Sequence, residues 1–263
     1  MSLIASAAEL ISRSRYAVAV CGAGVSAESG IDTFRDPGGV WDRLDPMMVG
    51  TPDGLVNALN THGKLLKRFF SGLLKTLETA QPNPGHLALA ALEEKGMLGT
   101  VITQNIDNLH QEAGSQHVLD VHGNLFAFEC LGCHHHQKFD RAAVLPAMRA
   151  TLDTMTQFDL NAAKQLLPVC DRCNAPMRPD VVMFGESVKK LPEAFSAVGQ
   201  CDLLMVLGTS GTVYPVAGFP STAKQSGAKI VVINPMEDAF SHLSDLYLPL
   251  KTGEALPAIL ELL

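Results

Sequence analysis

Two unbroken apolar runs, Leu203-Leu204-Met205-Val206-Leu207 and Ile230-Val231-Val232-Ile233, constrain the fold more than any other feature of the chain. Neither alternates with period two, so both faces of each segment must be covered. That is the mark of strands in a parallel sheet wrapped by helices. Shorter apolar runs occupy residues 16–21, 100–103, 117–121 and 245–248, with helical stretches such as residues 86–95 and 218–226 between strands. Small and hydrogen-bonding residues follow the runs: Gly22-Ala23-Gly24, Gln104-Asn105-Ile106-Asp107, His122-Gly123, Gly208-Thr209-Ser210 and Asn234-Pro235. Ligands of open parallel sheets bind beyond the carboxyl ends of the strands, so one composite polar site is expected there.

Two stretches interrupt the pattern. Residues 46–81 are mostly helical in character, with apolar Leu65, Leu66, Phe69 and Phe70, and residues 126–179 carry two Cys-x-x-Cys pairs. With 263 residues, 47% of them hydrophobic, the chain can build one substantial core and a small inserted module. The expected fold is α/β: a Rossmann-like parallel sheet with helices on both faces, plus a smaller inserted domain of a zinc-binding and a helical module. A single unit over residues 1–263 is expected, its large domain formed by residues 1–45, 99–126 and 180–263. Insertions 46–98 (helical) and 127–179 (zinc module) form the small domain.

A net charge of −7 supplies no basic field to hold nucleic acid by counterion release. The apolar runs fall short of the roughly 18 residues a membrane span needs. Residues 1–15 contain Glu9 and precede a strand at once, which predicts an amphipathic first helix rather than a cleaved leader. A cytoplasmic protein without nucleic-acid or membrane partners is expected.

The pairs Cys130/Cys133 and Cys170/Cys173 offer four thiolates, the set of a closed, structural tetrahedral zinc site. Disulfide pairing is the alternative, which an intracellular setting disfavours. Residues 134–169 separate the pairs, a gap about twice the usual 15–20, and residues 140–167 read as an inserted helical excursion. His134-His135-His136 reads as a solvated loop, and Cys21 and Cys201 as buried thiols.

Gly22-Ala23-Gly24-Val25-Ser26-Ala27 matches the G-x-G-x-x-G/A fingerprint between a strand and a helix. Taken alone it also fits a tight strand-to-helix turn without a ligand. No acid-ended second strand follows about twenty residues on, as a dehydrogenase requires. Instead the chain runs Ser29-Gly30-Ile31-Asp32-Thr33-Phe34-Arg35-Asp36-Pro37-Gly38-Gly39-Val40-Trp41, a loop in which Arg35 is placed to meet a phosphate. A loop over the nucleotide suits chemistry that cleaves it with water excluded. His122 by itself fits either a general base or a buried imidazole bonded to a carbonyl, and Asp107 either a ligand or a helix cap.

Taken together, Gly22 to Ile31 with Phe34-Arg35, Thr103-Gln104-Asn105-Ile106-Asp107-Asn108-Leu109-His110, Val121-His122-Gly123, the cysteine pairs, Phe184-Gly185-Glu186, Gly208-Thr209-Ser210 and Ile233-Asn234 resemble, in order, the motifs of sirtuins. The resemblance spans roughly residues 15–255 and implies an NAD-dependent protein lysine deacylase that passes the acyl group to ADP-ribose and releases nicotinamide. It implies His122, Asn105 and Asp107 as the catalytic set, with His122 the general base. It implies NAD contacts from Gly22, Ala23, Gly24, Ala27, Thr33, Phe34, Arg35 and Trp41, from Gln104, Asn105, Ile106 and Asp107, and from Gly208, Thr209, Ser210, Asn234, Pro235 and Met236. Val182, Met183, Phe184, Gly185 and Glu186 would pair with an acylated-lysine peptide as an added strand. Cys130, Cys133, Cys170 and Cys173 would hold one structural zinc.

Family members that prefer succinyl or malonyl lysine share a Tyr-x-x-Arg pair. Here residues 62–81 contain no tyrosine, and Leu65 stands three before Arg68. With Phe69 and Phe70 nearby, an apolar acyl pocket and acetyl preference are expected, since such a lining cannot stabilise a carboxylate. Asp32 stands where the family usually has proline, which predicts a looser cofactor loop. Mono-ADP-ribosyl transfer and a non-catalytic NAD-sensing module are the alternatives.

Overall fold

The computed structural model describes residues 2–33, 44–236 and 239–263. Phe34, Arg35 and Trp41, expected at the cofactor, lie outside the described residues. Among the described residues the strands are β1 (Ala17–Cys21), β2 (Thr100–Thr103), β3 (Val118–Asp120), β4 (Gly123–Cys130), β5 (His136–Lys138), β6 (Met177–Val181), β7 (Leu203–Leu207), β8 (Lys229–Ile233) and β9 (Leu246–Leu248). The chain divides into two compact units: Met1–Thr33, Gln81–His122 and Val188–Leu263 form the first; Phe34–Ala80 and Gly123–Ser187 form the second.

The first unit is built on a parallel sheet in the order β3-β2-β1-β7-β8-β9. Alternate residues of its central strands enter opposite cores. Ala17, Ala19, Cys21, Leu203, Met205, Leu207, Val231 and Ile233 pack with Ala7, Ile11, Leu89, Leu92, Leu256 and Ile259. Val18, Val20, Leu204, Val206, Ile230 and Val232 pack with Ala194, Val198, Phe219 and Ala223. Both pleat faces are covered, which is why the runs are apolar without alternation.

The register brings the carboxyl ends level. Cys21 pairs with both Thr103 and Leu207, Thr103 with Asp120, and Leu207 with Ile233. The loops after these strands therefore leave from one edge. Connectivity runs outward from β1 in one direction and, after β7, in the other, so the switch point lies between β1 and β7, where such sheets take ligands.

The helix Pro84–Glu94 belongs to the first unit, so the boundary expected at residue 98 falls at residue 80. Its buried Leu89 and Leu92 share a core with Leu256 and Ile259 of the helix Thr252–Leu260, which a count of insertions along the chain does not reveal. The second unit holds an antiparallel sheet in the order β5-β4-β6 and the helices Pro52–Thr61, Gly63–Thr79, Arg141–Thr154 and Leu160–Lys164. No helix among the described residues is long and apolar enough to cross a membrane.

Candidate active site

The loops after β1 and β7 touch through glycine. A Cβ on Gly22 would stand 2.6 Å from Thr209 Cβ, and one on Gly24 2.8 Å from the Gly208 Cα. Gly208 itself has φ +54° and would place a Cβ 2.6 Å from the Val25 nitrogen. Gly22 N–H donates to Leu207 O (3.0 Å) and Gly24 N–H to Gly208 O (2.8 Å). These glycines are thus demanded by loop-to-loop packing at the switch point, before any ligand is considered. Val25 and Ser26 donate their N–H groups to Gly22 O and Ala23 O, so most N–H groups of this turn are engaged within the fold.

Behind the turn lies a directed chain of hydrogen bonds. Asn83 N–H donates to His86 Nδ1 (3.3 Å), which leaves Nε2 to carry the proton and face Ser26 Oγ at 3.5 Å. Ser26 Oγ donates to Asp107 Oδ2 (2.6 Å) and accepts from Asn105 Nδ2 (2.9 Å); Asn105 Nδ2 also reaches Gly22 O (3.0 Å). Asp107 Oδ1 accepts Leu109 N–H at 3.0 Å, so this carboxylate supports the start of the helix Leu109–Glu112 as well as bonding Ser26. Ser26, Asn105 and Asp107 are all buried. His86 packs edge-on against His110, centroids 4.8 Å apart. Burial lowers His86 to about 4, and burial together with the neighbouring His86 lowers His110 to about 3. The sequence does not mark Asn83, Ser26, His86 or His110 as site residues. The Asn-Pro start of the helix Pro84–Glu94 was the available signal for Asn83.

His122 follows β3 and is half-buried. Its Nδ1 lies 3.2 Å from Gln104 O. A carbonyl only accepts, so Nδ1 carries the hydrogen and Nε2 keeps a lone pair. Burial lowers its pKa, opposed by the Gln104 bond, with the net shift downward. The bond to a main-chain carbonyl is compatible with either reading of this histidine, because it leaves Nε2 with a lone pair. Gln104 Nε2 donates to Thr209 Oγ1 (3.0 Å), and Asn234 Nδ2 to Thr209 O (3.3 Å). A narrow crevice beside them is lined by Gln104, Thr209, Gly211, Val213 and Phe240. Ser210 and Met236 are exposed at the rim. The first unit therefore gathers Gly22, Ala23, Gly24, Ala27, Gln104, Asn105, Ile106, Asp107, His122, Gly208, Thr209, Ser210, Asn234, Pro235 and Met236 at the level edge of its sheet.

Residues 182–186 belong to the second unit. They follow β6 and fold into a turn, Glu186 N–H donating to Met183 O (3.0 Å), and do not themselves form a strand. Arg178 grips Glu186 with two bonds, Nη1 to Oε1 (2.9 Å) and Nη2 to Oε2 (3.0 Å), and also donates to Val181 O. Glu186 Oε2 accepts Met183 N–H at 2.9 Å. The Arg178 bonds hold the Glu186 carboxyl below its ordinary pKa. Phe184 N–H donates to Gly50 O (2.7 Å), and Gly50 is glycine because a Cβ would meet the Phe184 ring at 2.5 Å.

Cys130, Cys133, Cys170 and Cys173 bring their sulfurs within 4.8 Å of one another, with Cys130–Cys173 at 3.4 Å and Cys133–Cys170 at 3.8 Å. A tetrahedral Zn(II) with arms of about 2.3 Å has sulfur–sulfur edges of about 3.8 Å, so the set fits the ion. The N–H groups of Gly132 and Cys133 point at Cys130 Sγ, and that of Arg172 at Cys170 Sγ. Main-chain N–H groups aimed at Cys130 and Cys170 Sγ favour the thiolate form that a zinc ligand takes. His134 and His135 instead meet Glu129 and Asp171.

A family model described as the Sir2 family matches residues 22–215. An NAD-dependent protein deacylase of Desulfosudis oleivorans is 49% identical over 97% of this chain and 93% of its own length. One from Pyrococcus furiosus is 38% identical over 98% and 97%. A solved Sir2 homologue in complex with NAD superimposes with a TM-score of 0.78 at 35% identity, covering 98% of this chain and 92% of that one. A Sir2 variant with a deacetylated p53 peptide and 3′-O-acetyl ADP-ribose gives 0.79 at 32% identity, covering 98% and 97%.

Proposed function

Since the chain belongs to the Sir2 family, we propose that it is an NAD-dependent protein lysine deacylase, with uncharged acyl groups, acetyl foremost, as its substrates. The observation that carries this reading is the His122 imidazole, whose Nδ1–H is fixed by Gln104 O and whose Nε2 is left basic beside the switch-point loops.

In this reading NAD is consumed. Its pyrophosphate and ribose lie along the loops at Gly22, Ala23, Gly24, Ala27 and Thr33, and its adenosine end at Gly208, Thr209, Ser210, Asn234, Pro235 and Met236. Gln104, Asn105, Ile106 and Asp107 attend the nicotinamide ribose and carboxamide. As the bond to nicotinamide breaks, the acyl oxygen of the substrate lysine attacks C1′. His122 Nε2 then removes a proton from a ribose hydroxyl, whose oxygen attacks the imidate carbon; the C–N bond breaks as the lysine amine leaves with that proton, and a water molecule opens the resulting cyclic acyl intermediate to acyl-ADP-ribose. Asn105 and Asp107 act from positions already fixed by Ser26 and Gly22 O, so little reorganisation accompanies the charge changes. Residues 182–186 receive the peptide, held in shape by Arg178.

The acyl preference rests on the helix Gly63–Thr79. Phe70 stacks edge-on with Phe69 and with Phe158, centroids 5.4 and 5.8 Å apart, and Arg68 is exposed. Cys130, Cys133, Cys170 and Cys173 would hold one zinc, which closes the module and takes no part in the reaction.

A panel of acyl-lysine peptides with NAD, read by mass spectrometry, tests the proposal. Nicotinamide release that depends on acetyl peptide and yields acetyl-ADP-ribose supports it. ADP-ribose attached to protein identifies a mono-ADP-ribosyltransferase, NAD binding without turnover a sensing module, and faster succinyl turnover removes the acetyl preference.

A further inference from the structure

We propose that Asn83 and Glu28 are positioning residues for the cofactor loop, fastening its root at residues 25–29 to the amino ends of two helices. The inference rests on the NAD reading above and gives a role to two residues, Asn83 and Glu28, that the resemblance leaves without one.

Asn83 is 6% exposed and uses every polar atom of its side chain. Oδ1 accepts from the N–H groups of Gly85 (2.9 Å) and His86 (3.3 Å), capping the helix Pro84–Glu94. Nδ2 donates to Val25 O (2.7 Å) and Ser29 Oγ (3.0 Å). One amide thus caps a helix with its oxygen and ties down the cofactor loop with its nitrogen. From the other side Glu28 Oε2 accepts Gly253 N–H at 2.8 Å, at the start of the helix Thr252–Leu260. That helix has no cap of its own, because Lys251 contributes no side-chain bond. Glycine at 253 is what admits the carboxylate, since a Cβ there would lie 2.8 Å from Glu28 Oε2. The two helix starts also abut: a Cβ on Gly85 would stand 3.2 Å from Gly253 N.

The clamp ends where glycine begins. Gly30 has φ +82° and nothing within 4 Å of its Cβ position. Residues 25–29 are thus held from two sides, and the Gly30 and Ile31 N–H groups bond back to Ala27 O and Ser26 O as the chain continues toward Thr33. Holding them before NAD arrives removes an ordering cost from binding, while the chemistry at His122 stays as it is once NAD is in place.

The test is steady-state kinetics with varied NAD and saturating acetyl peptide, beside equilibrium NAD binding, for Asn83→Ser, Glu28→Ala and Glu28→Gln. Serine caps a helix as well as asparagine but has no second donor. Asn83→Ser should raise KM and Kd for NAD roughly three- to tenfold and Glu28→Ala roughly two- to fivefold, with kcat within about twofold. Glu28→Gln keeps an acceptor and should stay near wild type. Variants that lose thermal stability but bind NAD as wild type does would overturn the clamp. Glu28 is exposed, so its variants keep the question open to measurement even if Asn83→Ser folds poorly. A wild-type chain that binds NAD without turning over acetyl peptide counts against the deacylase reading, and the binding series still decides the clamp.

Discussion

His122 owes its tautomer to a main-chain oxygen and its lowered pKa to burial, so the neutral, basic form predominates at pH 7. A base with a depressed pKa is lost only when the pH falls through that value, which places the acid limb of kcat/KM below pH 6.5. His122→Ala should reduce acetyl-peptide-dependent nicotinamide release by about 10²–10⁴-fold, with unchanged circular dichroism. At residues 182–186, proposed above to receive the peptide, Arg178→Ala leaves the Glu186 carboxylate without its bidentate partner. The expected result is a peptide KM raised roughly five- to twentyfold with the NAD KM unchanged, read by varying each substrate in turn.

At the scale of elements, the β1 and β7 loops tolerate no side chain where they meet. Gly208→Ala combines φ +54° with a 2.6 Å approach to Val25 N and should cost about 2–4 kcal/mol in urea denaturation. In the zinc module, a strong chelator should release about one zinc per chain and lower Tm. Cys173→Ser should do the same, since it breaks a closed four-sulfur set. Much of this was readable from the chain. The strands of the first unit fell within one or two residues of expectation, because segments covered on both faces leave continuous apolar runs. The four cysteines announce themselves by spacing. The path from Asn83 through His86 and Ser26 to Asp107 did not, since it joins distant positions through residue types that serve many other ends. The motif glycines were legible as glycines, but the loop contact that requires them depends on strand order. The turn at residues 183–186 was hidden behind the extended character of the segment before it.

Across the whole molecule, acid stability follows from buried groups. Burial lowers His86 and His110 from 6.5 to about 4 and about 3. Between those values and 6.5 the unfolded chain binds more protons than the folded one. Their contribution is complete above pH 6.5 and is lost as the pH falls toward 4 and below, by on the order of 3 kcal/mol for His86 alone. Asp202 and Asp245 act lower. Burial pushes each carboxyl up, but Ser14, Arg15 and Tyr16 hold Asp202, and Lys224, Ile230 and Lys229 hold Asp245, at about 2. Their stabilisation is full above 3.8 and disappears toward 2. A denaturant titration from pH 8 to 3 should therefore show Cm falling from about 6.5 downward, and His110→Phe should flatten that slope. The level edge of the first unit's sheet has an evolutionary corollary. Strand residues facing both cores are fully committed, whereas, apart from the glycines fixed by loop packing, many residues beyond the strand ends enter neither core. Frame and equipment can thus drift at separate rates, and a lineage can retool what it cleaves without rebuilding the chassis.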